Sequence, residues 1–440
     1  MKNNRFHTVK ILINFDKSNN QLPTVMNDYF SGINLSGHKE VTHLVQETIR
    51  QRGYIDSLLS ELYNGRFEKI EYSLKNILRL GCYELIFRDH VPGYAVVDSL
   101  VSLTKEVVNA KASGVTNAVL HKVAEAGKPQ IDELTENNSL TIISEITSHP
   151  VWMLERWIQQ FGFERTLKLC RWNNALPNIM IRKNQKKIDK NSFEKFLNEN
   201  GISWKLREED SNFYEVNYLN RLLKTSAFKD GWFSVQDISG GLVCQLVNNI
   251  ECETILDVCA APGGKMTYLS EIIENSSLYA YDINEERIKL VEENIGRLGH
   301  QHIHVSQADA AKDEFPLADV ILIDAPCTGT GVMSKRADLR WRRNESDFSE
   351  MQELQLAILS NMKNYLNQNG CLVYSTCSLE QEENKDVISS FLNSNSEFDV
   401  ENIEPSLFPK QVISEDGFLI TFPPEQSMDG IFASVLKRKS

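Results

Sequence analysis

Two cysteines follow short apolar runs, and each is flanked by small or hydroxylated residues. Cys327 lies in Ile323-Asp-Ala-Pro-Cys-Thr-Gly-Thr-Gly331, and Cys377 lies in Val373-Tyr-Ser-Thr-Cys-Ser378. If both runs are strands of one sheet ending on the same rim, the two thiols face one cavity. Paired thiols suit addition chemistry on an electron-poor ring. On cytosine, a thiolate that adds to carbon 6 makes carbon 5 carbanion-like and able to accept an electrophilic methyl group. Asp324, three residues before Cys327, can protonate or hydrogen-bond N3 and stabilise such an adduct. The proton on carbon 5 must then leave before the thiol is expelled, and a second thiol or a water beside it can assist. A free cysteine has a pKa of about 8.5, so such a site has to favour thiolate; Lys265 is the local cation expected to do so.

A second segment has the composition of a ligand loop. Asp257-Val-Cys-Ala-Ala-Pro-Gly-Gly-Lys265 follows an apolar run. Its small residues Ala260, Ala261, Gly263 and Gly264 let backbone turn tightly and approach a ligand. The GxGxxG and GxxxxGK[ST] spacings are absent, which weakens nicotinamide and nucleoside-triphosphate readings. Asp282 ends the next apolar run, where a carboxylate can accept both hydroxyls of a ribose. Asp309 follows the run after that and can meet an adenine edge. Alone, each aspartate reads as a helix cap or turn residue. Together with the glycine turn they point to an adenosine-bearing ligand without a pyrophosphate, for which S-adenosyl-L-methionine is the natural candidate.

The elements that must position these groups are legible from periodicity. After about residue 235, apolar runs at 254–259, 278–281, 302–305, 320–323 and 371–374 alternate with amphipathic stretches. Ile288, Val291, Ile295 and Leu298 share one helical face. This alternation predicts an α/β fold, a mostly parallel sheet wrapped by helices that binds ligands beyond the carboxyl ends of its strands. Earlier in the chain, Leu74, Ile77, Leu78 and Leu85 form one helical stripe. Val97, Leu100, Val101 and Val108 form another, after a break at His90-Val-Pro-Gly93. The expected organisation is an all-α domain at 1–135, a small α+β connecting domain at 145–235 and the sheet domain at 236–440. Residues 135–150 read as a polar connection. A helix is expected around 152–171, a strand at 179–182 and a charged helix near 191–200.

Composition narrows the class. The chain has 440 residues, 41% hydrophobic, and no apolar run near the ~20 residues a bilayer span needs. Met1–Lys10 is polar and carries no apolar signal core, so a cytoplasmic protein with no membrane contact is expected. The eight cysteines show no CxxC pair, and no metal is expected. A net charge of −13 argues against a nonspecific nucleic-acid coat, yet residues 1–130 hold 16 Lys/Arg against 13 Asp/Glu. A basic island, Lys335, Arg336, Arg340, Arg342 and Arg343, is opposed only by Asp338. Alone it reads as a solvated face; its place after Cys327 predicts that Arg336, Arg340, Arg342 and Arg343 contact RNA phosphates at the mouth of the pocket.

Here a resemblance becomes specific. DAPCTGTG and YSTCSLEQEEN resemble the paired motifs of the RNA cytosine-5 methyltransferases, DVCAAPGGK their cofactor loop and MDGIFASV their last strand motif. The resemblance implies a Rossmann-like S-adenosyl-L-methionine-dependent methyltransferase domain. It implies Cys377 as nucleophile and Cys327 as the aid to proton removal and product release. It also places Cys259, Ala260, Ala261, Pro262, Gly263, Gly264, Lys265, Asp282, Asp309 and Asp324 around the cofactor. DNA cytosine-5 methyltransferases use the PC cysteine instead, so Cys327 as nucleophile is the alternative. NILRLGCYELIF, VPGYAVVDSLVSLTKE and SGVTNAVLHKV are similar to the NusB-like helical RNA-binding fold. That module in front of the methyltransferase resembles the bacterial 16S rRNA members that modify cytosine 967. The expected partner is therefore 16S rRNA presenting an unpaired or flipped cytosine to a monomeric enzyme. An RNA-binding assembly factor with a vestigial enzyme domain and a tRNA methyltransferase are the competing readings.

Overall fold

Apolar stripes at helical spacing dominate the first third of the chain, and they close into helices there. The computed structural model describes residues 4–33, 37–403 and 408–439; Met1–Asn3 of the polar N-terminal stretch lie outside them. Two compact units emerge. One comprises Met1–Leu176 with Met333–Arg343, the other Pro177–Val332 with Asn344–Ser440.

In the helical unit, Leu74, Ile77 and Leu78 of helix Tyr72–Phe87 are buried, as are Val97 and Leu100 of helix Gly93–Val107. Leu85, Val101 and Val108 pack partly buried against them, completing the expected stripes. Gly81 lets these helices approach helix Ala110–Val123. A Cβ there would lie 2.6 Å from a methyl of Leu120 and 2.9 Å from one of Leu100. Two local expectations differ. The polar connection at 135–150 contains a helix, Leu140–Thr147, because Ser139 caps it through the Ile142 N–H and buried Ile143 anchors it. The single helix around 152–171 is two, Val151–Phe161 and Phe163–Asn174, broken at Gly162, whose φ of 80° favours glycine.

The second unit carries two sheets. Strands β1 (Ile179–Lys183), β2 (Trp204–Leu206), β3 (Phe213–Val216) and β4 (Phe233–Val235) form an antiparallel sheet in the order β2-β3-β1-β4. Helix Lys190–Glu199 covers it with Phe193 and Leu197. Helices Val151–Phe161 and Phe163–Asn174 fall in the first unit, and the antiparallel sheet with helix Lys190–Glu199 falls in the second. The larger sheet contains β5 (Thr254–Asp257), β6 (Ser277–Asp282), β7 (His304–Gln307), β8 (Ala318–Asp324), β9 (Leu366–Thr376), β10 (Phe398–Val400), β11 (Leu419–Ile420) and β12 (Phe432–Arg438). Its order is β10-β12-β9-β8-β5-β6-β7, with β11 on β12. Strands β5 to β9 pair in parallel, and β12 runs antiparallel to β9. Helices cover both faces, as the near-continuous apolar strands require. This is the expected α/β architecture. Strand β7 begins two residues later than the apolar run suggested, and β9 extends to Thr376. Among the described residues no helix is long and apolar enough to cross a membrane.

Candidate active site

Strands β8 and β9 are parallel neighbours, with Asp324 opposite Ser375. The chain leaves both at the same rim, so the residues that follow are brought together. The Cys327 and Cys377 sulfurs lie 3.1 Å apart, and neither cysteine is in a disulfide. The sulfur–sulfur hydrogen bond with Cys377, followed by burial, pushes the Cys327 thiol well above its ordinary value.

The loops carrying these thiols are joined backbone to backbone. The Gly331 N–H donates to the Cys377 carbonyl at 2.9 Å, and the Gly430 N–H donates to the Gly331 carbonyl at 2.9 Å. Side chains add a second layer. Buried Glu383 accepts from the Thr328 N–H at 2.8 Å and the Thr328 hydroxyl at 2.5 Å, and from the Ser378 hydroxyl. Asn384 accepts from the Thr376 hydroxyl at 2.6 Å and donates to the Ser378 carbonyl at 2.9 Å. None of Glu383, Thr328, Ser378 or Gly430 stood out from residue types and spacing. The acidic run Glu380–Glu383 has the composition of a solvated turn, and only the tertiary fold shows that Glu383 points inward.

Asp324 sits at the end of β8. It accepts from the Ser375 hydroxyl at 2.9 Å and pairs with the Lys265 ammonium at 2.5 Å. Burial opposes the charge on Lys265, but Asp324 outweighs it and holds the ammonium above its ordinary value. Lys265 was expected to favour a cysteine thiolate. In the structure its ammonium is ion-paired with Asp324.

The cofactor loop leaves β5 and enters helix Gly264–Ile272 through Gly263, whose φ of 96° and 3.3 Å approach to Val291 leave no place for a side chain. Ala260 N–H bonds to the Tyr281 carbonyl, and Ala261 N–H bonds to Asp282. No side chain caps the helix start, so the N–H groups of Gly264, Lys265 and Met266 remain donors for an anionic group. Asp282, at the end of β6, is buried and also accepts from the Asn284 N–H, with Arg287 3.4 Å away. Beyond β7, Asp309 accepts from the Ala311 N–H and pairs with Lys312. Burial raises its pKa, but these partners outweigh burial and hold it below the usual carboxylate range. Burial, then Asp257, drives the Cys259 thiol well above its ordinary value, which keeps it neutral. Orphan donors, a tight glycine turn and carboxylates after β6, β7 and β8 suit a ligand with a carboxylate at one end and ribose hydroxyls and an amine elsewhere. That is the donor and acceptor pattern of S-adenosyl-L-methionine.

The basic island belongs to the helical unit. Arg340 is buried in the helical unit, where its guanidinium donates to the carbonyls of Arg50, Ser148 and Asn173 and to the Asn174 side chain. It is therefore withdrawn as a phosphate contact. Arg342 lies 3.6 Å over the Phe15 ring and donates to the Phe15 and Asn20 carbonyls. Arg336 bonds to Gln21 and Asp338, and Arg343 is half-buried. The reason is local: residues 337–341 form a 3-10 turn whose Trp341 packs on the cluster of Ile11, Phe15, Val45 and Ile49, drawing its charged neighbours onto helix-end carbonyls.

Comparison with known proteins gives three matching family models. The 16S rRNA methyltransferase RsmB/F model matches residues 244–437, the NusB family model 2–125, and the ferredoxin-like domain of RsmF/B-like methyltransferases 149–211. The chain is 30% identical over 407 residues to "Probable ribosomal RNA small subunit methyltransferase B" of Bacillus subtilis, covering 91% of this chain and 90% of that protein. It is 34% identical over 373 residues to ribosomal RNA small subunit methyltransferase B of Photorhabdus laumondii, covering 83% and 84%. The solved structure of PH0851 shares the fold, with a TM-score of 0.79 at 23% identity over 100% of this chain and 99% of that one.

Proposed function

From the premise that this chain belongs to the 16S rRNA methyltransferase RsmB/F family, we propose that it methylates carbon 5 of a cytosine in 16S rRNA, cytosine 967, through a covalent Cys377 adduct. The observation that carries this reading is the 3.1 Å approach of the two free sulfurs beside Asp324. S-adenosyl-L-methionine, held by Cys259–Lys265, Asp282, Asp309 and Asp324, would supply an electrophilic methyl at its sulfonium.

The chain's own groups do the rest. Cys377 adds as thiolate to carbon 6, and the displaced electron pair is taken up at N3 by a proton that the Lys265 ammonium passes through Asp324 and that returns when the adduct collapses. The Cys327 S–H hydrogen-bonds to the Cys377 sulfur and keeps it anionic before attack. Once carbon 5 is alkylated, a water hydrogen-bonded to the Cys327 thiol accepts the carbon 5 proton and carries it to solvent. The carbon 6–sulfur bond then breaks and the pair returns to Cys377. The cytosine is unpaired or flipped to reach two thiols on a strand rim.

Labelled methyl transfer to 16S rRNA with bisulfite mapping tests the reading. Cys377→Ala should abolish transfer, and Cys327→Ala should leave a protein–RNA adduct that survives a denaturing gel. Methylation elsewhere, or full activity of Cys377→Ala, would reject it.

A further inference from the structure

Glu383 is fully buried and lies in the 3-10 turn Gln381–Glu383. Among the described residues no ion pair neutralises its carboxylate. Instead hydrogen-bond donors converge on its two oxygens. Oε1 accepts from the Thr328 N–H at 2.8 Å and from Gln355 Nε2 at 3.3 Å. Oε2 accepts from the Thr328 hydroxyl at 2.5 Å and from the Ser378 hydroxyl. Thr328 directly follows Cys327, and Ser378 directly follows Cys377. One carboxylate thus grips the residue after each thiol. Gln355 also donates to the Pro326 carbonyl at 2.9 Å, the residue before Cys327. A second bridge ties the loops in the same sense: Thr330 accepts from the Leu379 N–H at 2.8 Å and lies 3.3 Å from the Ser378 hydroxyl.

Burying a carboxylate without a cation is costly unless its lone pairs are filled. Here they are filled only by groups from the thiol loops and from helix Ser346–Met362, so the carboxylate holds the loops at a fixed separation. We propose that Glu383 is a positioning residue that sets the distance between the Cys327 and Cys377 sulfurs. Its effect on turnover rests on the two-thiol reading above; its effect on the sulfur spacing does not. An amide keeps one acceptor oxygen and forces a hydroxyl to turn. Alanine removes both oxygens and frees the loops to separate.

Two measurements on the full-length protein test this. The first uses diamide as thiol oxidant without RNA or cofactor. One thiol adds to the azo bond, the second displaces it, and the products are the 327–377 disulfide and the hydrazine, quantified by peptide mass. The wild type should crosslink fastest, Glu383→Gln more slowly and Glu383→Ala at least ~10-fold more slowly, since misplacement of about 1 Å has rate effects of this order or larger. The second follows steady-state methyl transfer and the gel-stable adduct. Glu383→Gln should lower kcat with KM for RNA within about twofold and prolong the adduct, whereas mere loss of fold would lower both binding and adduct yield. Variants that melt well above the assay temperature yet crosslink and turn over like wild type would overturn the proposal. If Glu383→Ala does not fold, Thr328→Val, which deletes one hydroxyl at constant shape, takes its place. Its crosslinking should slow about threefold, and a wild-type rate counts against the proposal. Slowed crosslinking in a protein that methylates no cytosine would uphold the role of Glu383 and refute the functional reading.

Discussion

Gly331→Ala places one methyl group between the two catalytic loops. A Cβ at residue 331 would lie 2.3 Å from the Gly430 carbonyl oxygen, 2.8 Å from the Cys377 carbonyl oxygen and 2.9 Å from the Gly430 carbonyl carbon. All three neighbours are backbone atoms, so none can swing aside. A carbon–oxygen contact relaxes at about 3.3 Å, so the chain must open by roughly 1 Å. Gly331 does not occupy a positive-φ conformation, so the cost is steric. Overpacking of this kind costs about 1–3 kcal/mol. At roughly 2–4 °C per kcal/mol for a unit of this size, the melting midpoint of the methyltransferase unit should fall by about 2–12 °C. The larger effect falls on rate. The displaced segment includes the Cys377 carbonyl, and misplacing a reacting group by ~1 Å costs on the order of 100-fold. We expect kcat for methyl transfer to drop by about that factor while the protein stays folded at 25 °C. Gly114→Ala, in a position with nothing within 4 Å, is the control and should leave both readouts near wild type. A Gly331→Ala enzyme with kcat within about threefold of wild type would refute the claim that this close approach sets the catalytic geometry.

Two further predictions concern stability. Arg340→Leu removes the donors to three carbonyls and one side-chain amide inside the helical unit, and should destabilise that unit by about 3–5 kcal/mol. Urea unfolding showing a change under about 1 kcal/mol would return Arg340 to the list of phosphate-contact candidates. Asp257 is buried, and burial followed by the neighbouring Asp324 charge pushes its carboxyl up to about 7. The unfolded chain releases this proton near pH 3.9, so the native state binds the extra proton between about pH 4 and 7. Stability should therefore fall as pH rises through that window, by up to ~1.4 kcal/mol per unit. Asp257→Asn should flatten this dependence, and identical pH slopes for variant and wild type would contradict it.

The approach of the two thiols was legible because strand order brings their loops together. Short apolar runs separated by amphipathic helices dictate parallel pairing, and parallel pairing sends every strand end to one rim. Cys327 and Cys377 had to meet once β8 and β9 were neighbours. Arg340 was misjudged because exposure is not a property of charge. Arg340 follows a turn that inserts Trp341 into an apolar slot, and the carbonyl acceptors come from residues 50, 148, 173 and 174, remote in sequence. The Lys265–Asp324 pair was not foreseen for a related reason, since Asp324 arrives from another strand 59 residues away. Glu383 was overlooked because a run of acids has no periodicity to reveal which member turns inward. Convergence dictated by strand order was readable, and convergence dictated by side-chain packing between remote segments was not.

The discontinuity of the helical unit carries a consequence for biosynthesis. Residues 333–343 complete its packing, with Trp341 donating to the Ile49 carbonyl at 2.9 Å and Asp338 accepting from the Leu22 N–H at 3.0 Å. A nascent chain that has reached Leu176 has every helix of this unit but lacks that peptide. At typical elongation rates of 5–20 residues per second, the peptide is made roughly 8–30 s later. During that interval Phe15 and Ile49 lack their indole cover, so the ribosome-bound intermediate presents a sticky apolar notch. A chaperone that shields such notches, or the peptide 333–343 added in trans, should protect this early product from aggregation.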